Sequence, residues 1–541
     1  MLLQAVVSKL KDEFKVFVQK QLMPFSKRSR FNLGLWWSAF LFLLCACQAV
    51  SAQELATLPT NHWAYEYLQR LSLRHRGAGV SLLTLPWRYQ QIAAAVDSVT
   101  PYAGNAAEQF WLQHLRALAA FPASSAPRLL LGSRILENAG KLQSGGLRSR
   151  LAARSHLGVF PDRRLALFNV INLDQTLGDD PRYLGKRWRG FTGFTEQAYA
   201  LLHFDKYLFK FGRDFIRWGR GQDATLLISD YSRPIDHFLA QLDFPIGRLT
   251  YLAAKLDRTP LADSLVARYG SEHAERYLSA GRAEIELRKN RLRLGVTQFV
   301  LSGGPNRAFE WNYLNPFLIY HGEQLNDKQG GNTLLGFDFI ARPQSGLEFY
   351  GQLLFDDFQI EKRGRGDLEP DEFGYLLGVE KALNAATMGL EYTRVANRTY
   401  NTVREWEKFL HRNRPLAHFL GNDFDRWLLH ANVYAGKQVQ LYFTAELLRR
   451  GEGRVDSTFD RPWESATLEE GYHEKFPSGV VETSRQLRLE ARWHPRPGFF
   501  FAAHGQYARY KNFANRSGNS ENDTKFFVRL WWEKDWLFPG W

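Results

Sequence analysis

Val439-Gln440-Leu441-Tyr442-Phe443-Thr444-Ala445-Glu446-Leu447 is the stretch that decides the fold class. In an extended chain, successive side chains point to opposite faces. Val439, Leu441, Phe443, Ala445 and Leu447 therefore share an apolar face, and Gln440, Tyr442, Thr444 and Glu446 a polar one. Residues 347–355 and 486–493 alternate in the same way. A soluble antiparallel sandwich shows this period too, and three features point instead to a membrane barrel. The polar faces carry charge, as at Arg291 and Arg293 against Leu292 and Leu294, which suits a wet lumen. Short turns recur at Pro161-Asp162, Asp205-Lys206, Pro245–Gly247, Lys289-Asn290, Arg342–Gly346, Asn384–Ala386, Gly436-Lys437 and Pro495–Gly498. Long polar segments such as Ser302–Gly331, Asn397–Phe424 and Gly451–Thr483 lie between them. Short periplasmic turns and long outer loops are the habit of outer-membrane barrels. With both termini periplasmic, the turns imply about 18 strands, an even number as such barrels require.

The expected fold is an all-β transmembrane barrel of about 18 antiparallel strands with a small N-terminal α-helical segment in the periplasm. Its last strand reads Lys525 to Trp532, with Phe526, Val528, Leu530 and Trp532 on one face. The chain ends at Trp541, and a terminal aromatic resembles the signal read by the barrel-assembly machinery, although Pro539 and Gly540 intervene. Mean hydropathy is −0.36, too low for a helical membrane protein but compatible with strands that are half polar. The 16 Trp, 22 Tyr and 40 Phe would supply aromatic girdles at the two membrane boundaries.

Lys27, Arg28 and Arg30 precede an apolar run from Leu33 to Val50, then Ser51, Ala52 and Gln53. These are the parts of a secretory signal, so residues 1–52 are expected to be removed. Met23 is an alternative start that leaves Pro24–Arg30 as an ordinary basic region. The rival readings are a transmembrane helix and a lipobox at Leu44–Cys47. The only cysteines, Cys45 and Cys47, would leave with the signal. That excludes a disulfide framework, a thiolate metal site and cysteine chemistry in the mature chain. Net charge is +14, of which +9 remains beyond Ala52. For an exported chain this suits acidic polysaccharide or lipopolysaccharide phosphate better than nucleic acid, or simply an Arg-lined lumen.

Residues 53–127 are expected to be helical and 128–541 to form the barrel. Trp63, Tyr67, Leu68 and Leu71 share a helix face that Asn61 could cap. Leu85, Tyr89, Ile92 and Val96 fit a second helix with Pro86 in its first turn. Trp111, Leu115 and Leu118 fit a third, ending near Pro122. Such a segment is too small to stand alone and should pack on something larger. His62–Leu68 also resembles the start of an S-layer-homology motif; an ordinary amphipathic helix reads the same way.

No catalytic set emerges. Ser229 and Asp236-His237 are the nearest to a hydrolase arrangement, but their spacing across a loop is no signature. Asp356 and Asp357 are adjacent, so they point to opposite faces of a strand. Asp423 and Asp425 could share a face, but two ligands are too few for calcium. Gly330-Gly331 reads as a loop-to-strand transition. No cofactor, no metal and no enzymatic activity are expected. Sugar binding fits better: aromatic rings pack on apolar sugar faces, while Arg and amides take hydroxyls and carboxylates. One candidate cluster is Arg213, Arg217, Trp218 and Arg220. The other is Arg307, Glu310, Trp311, Asn312 and Tyr313, with Phe317, Tyr320 and His321 nearby. The same residues could equally form a girdle or fill the lumen.

Three segments together resemble the capsule-assembly Wzi family: Gly212-Arg213-Asp214-Phe215-Ile216-Arg217-Trp218-Gly219-Arg220-Gly221, then Leu226-Leu227-Ile228-Ser229, and Arg307-Ala308-Phe309-Glu310-Trp311-Asn312-Tyr313-Leu314-Asn315-Pro316. The order of signal, helical segment and barrel fits as well. The resemblance implies an eighteen-stranded barrel whose inner end is blocked by a helical bundle. It also implies a lectin-like role for the outer loops in holding capsular polysaccharide or exopolysaccharide. The other expected partners are outer-membrane lipid and the barrel-assembly machinery, with the chain monomeric. The alternatives are a carbohydrate-selective porin and an outer-membrane hydrolase.

Overall fold

The computed structural model describes residues 55–75, 82–119, 127–141, 146–162, 164–183, 185–288, 291–326, 330–357 and 368–539. The signal, its two cysteines, Pro122 and Trp541 lie outside the described residues.

Among the described residues, eighteen antiparallel strands close into a barrel. They are β1 (Arg128–Lys141), β2 (Arg148–Phe160), β3 (Leu165–Asp174), β4 (Phe191–Phe204), β5 (Tyr207–Asp214), β6 (Ile235–Phe244), β7 (Gly247–Lys255), β8 (His273–Leu287) and β9 (Leu292–Pro305). The circle continues with β10 (Asn332–Gln344), β11 (Leu347–Asp357), β12 (Glu372–Ala382), β13 (Ala386–Val395), β14 (Phe424–Tyr434), β15 (Val439–Arg450), β16 (Glu482–Arg496), β17 (Phe499–Lys511) and β18 (Ser520–Pro539). β18 closes on β1, from Phe526 opposite Lys141 to Pro539 opposite Arg128. This strand is longer than its sequence pattern suggested. Beyond Lys534 its apolar outer face resumes at Trp536 and Phe538, both exposed, and Pro539 sits at its very end, where a missing N–H is tolerated.

The alternation has the expected sense. On β15, Leu441, Phe443 and Leu447 are exposed on the outer wall, whereas Gln440 is buried on the lumen side. An exposed apolar face is costly in water but not in lipid. Seven of the eight short turns join strand ends on the side where β1 begins, and the long connections lie at the other end; the remaining turn, Lys289-Asn290, lies outside the described residues. No helix among the described residues is long and apolar enough to cross a membrane.

The lumen is filled from both ends. From the inner end come α1 (Trp63–Arg74), α2 (Tyr89–Val99) and α3 (Ala106–Ala119). Their apolar faces join barrel residues such as Leu130, Phe168, Tyr199, Phe500 and Trp531 in one core, which supplies what so small a segment lacks. α1 is capped by His62, whose Nδ1 accepts from Ala64 N at 3.2 Å, and not by Asn61. α2 begins at Tyr89, later than expected, because Thr84-Leu85 is extended and Pro86 precedes the helix. Polar contacts fix the helices to the wall. Trp63 Nε1 donates to Glu533 (2.8 Å), Gln69 to Glu380 (2.6 Å) and Arg70 to Gln440 (2.8 Å), while Tyr67 Oη lies 2.6 Å from His494 Nδ1.

From the outer end, the β5–β6 and β13–β14 connections fold inward. Trp218, Leu226, Leu227 and Ile228 of the first and Tyr400, Phe409 and Leu416 of the second are fully buried in another core. The two fillings meet in mid-lumen, where Thr84-Leu85 pairs antiparallel with Arg217-Trp218. The charged lumen wall is neutralised by internal pairs. Arg282 bonds Asp338 at 2.8 and 2.9 Å and Thr297 at 2.7 Å, with both charged side chains fully buried. Glu284 Oε1 also lies 3.2 Å from this guanidinium, so removing Asp338 takes away the bidentate partner of a buried cation and leaves it one carboxylate. Asp338→Ala is therefore expected to cost up to about 3–5 kcal/mol, read from denaturant unfolding in detergent micelles. A loss below about 1 kcal/mol, as for an exposed pair, would contradict this account.

Candidate functional site

The two sequence-derived clusters separate in space. In the first, Trp218 is completely buried and packs on Phe299, with ring centroids 5.9 Å apart. Arg220 is buried too, donating to Glu380 at 2.9 Å and to the Gly221 carbonyl at 2.8 Å, with its guanidinium over the Tyr350 ring. Arg217 donates to the same carbonyl at 2.7 Å. Only Arg213 stays near the surface, in a bidentate pair with Asp236. These residues hold the outer filling in place.

The second cluster lies at the outer rim around an open cavity of about 910 Å³. Gly303, Gly304 and Pro305 at the end of β9 form one edge, followed by Arg307, Glu310, Trp311 and Asn312. Tyr269, Gly330, Arg404, Trp406 and Glu407 complete it. The β13–β14 connection reaches the rim because buried Arg276 of β8 clamps it. That guanidinium donates to the carbonyls of Trp406 (2.9 Å) and Lys408 (2.6 Å). Lys408 Nζ in turn donates to the Ser457 carbonyl at 2.6 Å, so β8 and two outer connections are tied together.

The site carries two cations, two carboxylates and aromatic faces. Arg307 pairs with Glu310, and Arg404 donates to Glu407 at 3.0 Å. Both guanidinium groups converge over Gly330. A Cβ there would stand 2.8 Å from Arg307 Nη1 and 3.2 Å from Arg404 Nη1, so glycine leaves the space above the chain open. Gly304 does the same beside Trp406 Nε1. Trp311 is 81% exposed, whereas Tyr313 is fully buried and packs on Tyr320. Burial pushes the Glu407 carboxyl above its ordinary range, against the pull of Arg404 and Arg307.

Sequence reasoning placed Arg307, Glu310, Trp311 and Asn312 together and missed Tyr269, Arg404, Trp406 and Glu407. The signal for the last three was the run Arg404-Glu405-Trp406-Glu407 inside a segment read only as a long loop. The hydrolase pieces do not assemble. Ser229 Oγ accepts from Tyr231 N (3.1 Å), and His237 Nδ1 sits 2.9 Å from its neighbour Ile235's carbonyl. Asp423 is spent on Gly453 N and on Ser478 N and Oγ, whereas Asp425 pairs with Arg449. No group of three metal-ligating side chains occurs among the described residues.

No curated protein matches the sequence. Among solved structures, the chain is similar to Wzi of Escherichia coli, an outer-membrane protein involved in group 1 capsule assembly and described as a carbohydrate-binding β-barrel. Identity is 17%, covering 88% of this chain and 99% of that one, with a TM-score of 0.59; the likeness is one of fold. OprD of Pseudomonas aeruginosa is similar at 12% identity over 76% of this chain and 94% of its own, with a TM-score of 0.42. OccK1 (OpdK) of the same organism is similar at 11% identity over 76% and 99%, with a TM-score of 0.43. The model of the family described as capsule assembly protein Wzi matches residues 148–525, most of the barrel with both inward-folded connections and the rim cavity, and the chain belongs to that family.

Proposed function

We propose that this outer-membrane barrel holds capsular polysaccharide or a related exopolysaccharide at the cell surface, without catalysing a reaction on it. The rim cavity is the observation that carries this reading. It opens outward, offers Trp311, Trp406 and Tyr269 as sugar-packing faces, and presents Arg307 and Arg404 to acidic groups. Arg recognises carboxylate and phosphate through paired N–H donors. Arg307, Glu310, Trp311 and Asn312 are the binding residues in this reading, with Arg404 and Trp406 added. Arg213 is at most peripheral, and Arg217, Trp218, Arg220 and Tyr313 act as supports.

The test is a deletion strain of the source bacterium, scored for cell-bound against shed polysaccharide. Loss of the protein should lower the bound fraction and raise the shed one, with total synthesis unchanged. Equal retention in the two strains would overturn the reading.

The site also predicts a pH dependence. An anionic saccharide beside Glu407 disfavours its ionised form, so the complex takes up a proton that the free protein holds less tightly. Binding should therefore tighten as pH falls from about 7 towards 5, by at most about tenfold per unit for one proton. Glu407→Gln should flatten that slope in isothermal titrations with purified polymer, and a slope that survives the substitution would remove Glu407 from the site.

A further inference from the structure

The β9–β10 connection does not stay on top of the barrel. Along β9, Leu294 and Val296 are exposed on the outer wall, so Gln298 and Val300 point outward too. Yet Val300 is fully buried, in a small cluster with Tyr313 and Tyr320 that is separate from both lumen cores. Gln298 donates to the Leu318 carbonyl at 2.7 Å and accepts from Tyr320 N at 3.2 Å. Tyr251 of β7, in register with Gly281 and thus with Gln298, donates to the Tyr313 carbonyl at 2.8 Å. A Cβ on Gly281 would meet the Pro316 carbonyl at 3.4 Å. Residues 313–321 therefore hang over the rim and lie on the lipid-facing side of β7–β10.

Their depth follows from strand geometry. A strand rising about 3.4 Å per residue and tilted about 40° climbs roughly 2.6 Å per residue along the membrane normal. Counted from Leu292, next to the inner turn, Gln298 stands about 16 Å up and Val300 about 21 Å, inside the apolar band of about 25 Å. Phe317 and Ile319 on this segment are 81% and 72% exposed, so they project away from the barrel at that depth. The same connection supplies Arg307, Trp311 and Asn312 to the rim cavity, with Asn312 only five residues before Phe317, and Arg404 lines that cavity beside them.

We infer that this edge of the barrel binds an outer-leaflet glycolipid, with its acyl chains against Phe317 and Ile319 and its phosphorylated saccharide head at Arg307 and Arg404. The apolar half continues the barrel's lipid-facing belt, and the cationic half matches an anionic head group at the level where such heads lie. The inference rests on the cavity's being a saccharide site. It adds that the saccharide taken there is one carried on lipid, which would place the held polymer against the membrane surface.

Two measurements test it. In the full chain with Cys45 and Cys47 replaced by Ser, a nitroxide on Phe317→Cys should show the oxygen accessibility of a membrane-buried label, matching one on Leu335→Cys. Aqueous accessibility, like that of a label on Leu468→Cys, would overturn the placement. Native mass spectrometry of the detergent-solubilised protein then compares bisphosphorylated lipid A, enzymatically dephosphorylated lipid A and inorganic phosphate. Bisphosphorylated lipid A should bind at least about tenfold better than the dephosphorylated form, the scale of one charge-assisted contact. Ile319→Ser should weaken that binding while soluble polysaccharide still binds. Equal binding of both lipids, or competition by inorganic phosphate alone, overturns the inference. Loss of soluble polysaccharide binding is a separate result that bears on the proposed function.

Discussion

Reconstituted into a planar bilayer, the intact protein is expected to show no stable open-channel conductance. An empty barrel of this strand number would enclose an aqueous passage. Here the passage is closed twice. The inner filling rests on a helical core with at least four polar ties to the wall. The outer filling buries Trp218, Leu226, Leu227 and Ile228 and is locked separately. Gln352 bonds both Leu226 N and the Arg220 carbonyl at 2.7 Å, and Tyr400 donates to the Leu226 carbonyl at 2.6 Å. Arg426 of β14 ties the wall to Asp223 of the outer filling at 2.7 Å and pairs with Glu446 of the adjacent β15 at 2.6 Å. Burial favours a protonated Asp223, but the Arg426 guanidinium holds its carboxyl well below the usual carboxylate range, so this lock persists at neutral pH. Removing residues 55–119 alone should leave the outer filling in place and conductance low. Replacing 215–230 alone with a short Gly/Ser linker should leave the helices in place. Only the combined deletion should give a porin-like channel, with folding checked by the mobility shift between unheated and boiled samples. A stable pore from the intact protein would refute the closed lumen, and full opening by either single deletion would refute the series arrangement.

The barrel was legible in the sequence because its period is enforced by lipid. Within the membrane the outward residues must be apolar, as from Leu441 to Leu447 on β15 and from Phe526 to Trp532 on β18, and each turn must be short where the chain reverses in the periplasm, so pattern and topology coincide. The seven turns among the described residues fell where the sequence placed them for that reason. The helix starts were less legible. His62 rather than Asn61 caps α1, and Thr84-Leu85 leaves its helical pattern because a strand from an outer loop pairs with it; no local signal records that partner. The site was half legible for a related reason. Aromatic and Arg residues interleave both where a sugar binds and where a charged lumen is filled. Residue type alone therefore could not separate Trp218 and Arg220, buried against the wall, from Trp311 and Arg307, open at the rim. What distinguishes them is the pairing of Arg217-Trp218 with Leu85 and Thr84, a contact more than 130 residues distant in sequence.

That distinction sets the second large effect. Arg307→Gln and Arg404→Gln each remove one cation from the space above Gly330 while leaving a shorter polar side chain in its place. A hydrogen bond to a charged group contributes about 1.5–3 kcal/mol, so each change should weaken binding of an acidic polysaccharide by roughly tenfold to a hundredfold. The two guanidinium groups face one small volume, so a single carboxylate or phosphate can engage both. The double variant should then fall short of the summed single effects, because losing the first contact already loosens the second. Trp406→Ala, which removes a packing face, should cost a comparable amount, whereas thermal stability should change little because Arg307, Arg404 and Trp406 lie at the open rim. Arg220→Gln is the informative contrast. It leaves Glu380 short of its arginine inside the lumen, while Glu348 keeps Arg342, so it should lower stability and loosen the outer filling without a selective loss of affinity in the fraction that folds. Titration calorimetry of the folded variants against purified polymer reads both outcomes. Unchanged affinity in Arg307→Gln/Arg404→Gln, with a selective loss in Arg220→Gln, would move the binding site from the rim into the lumen.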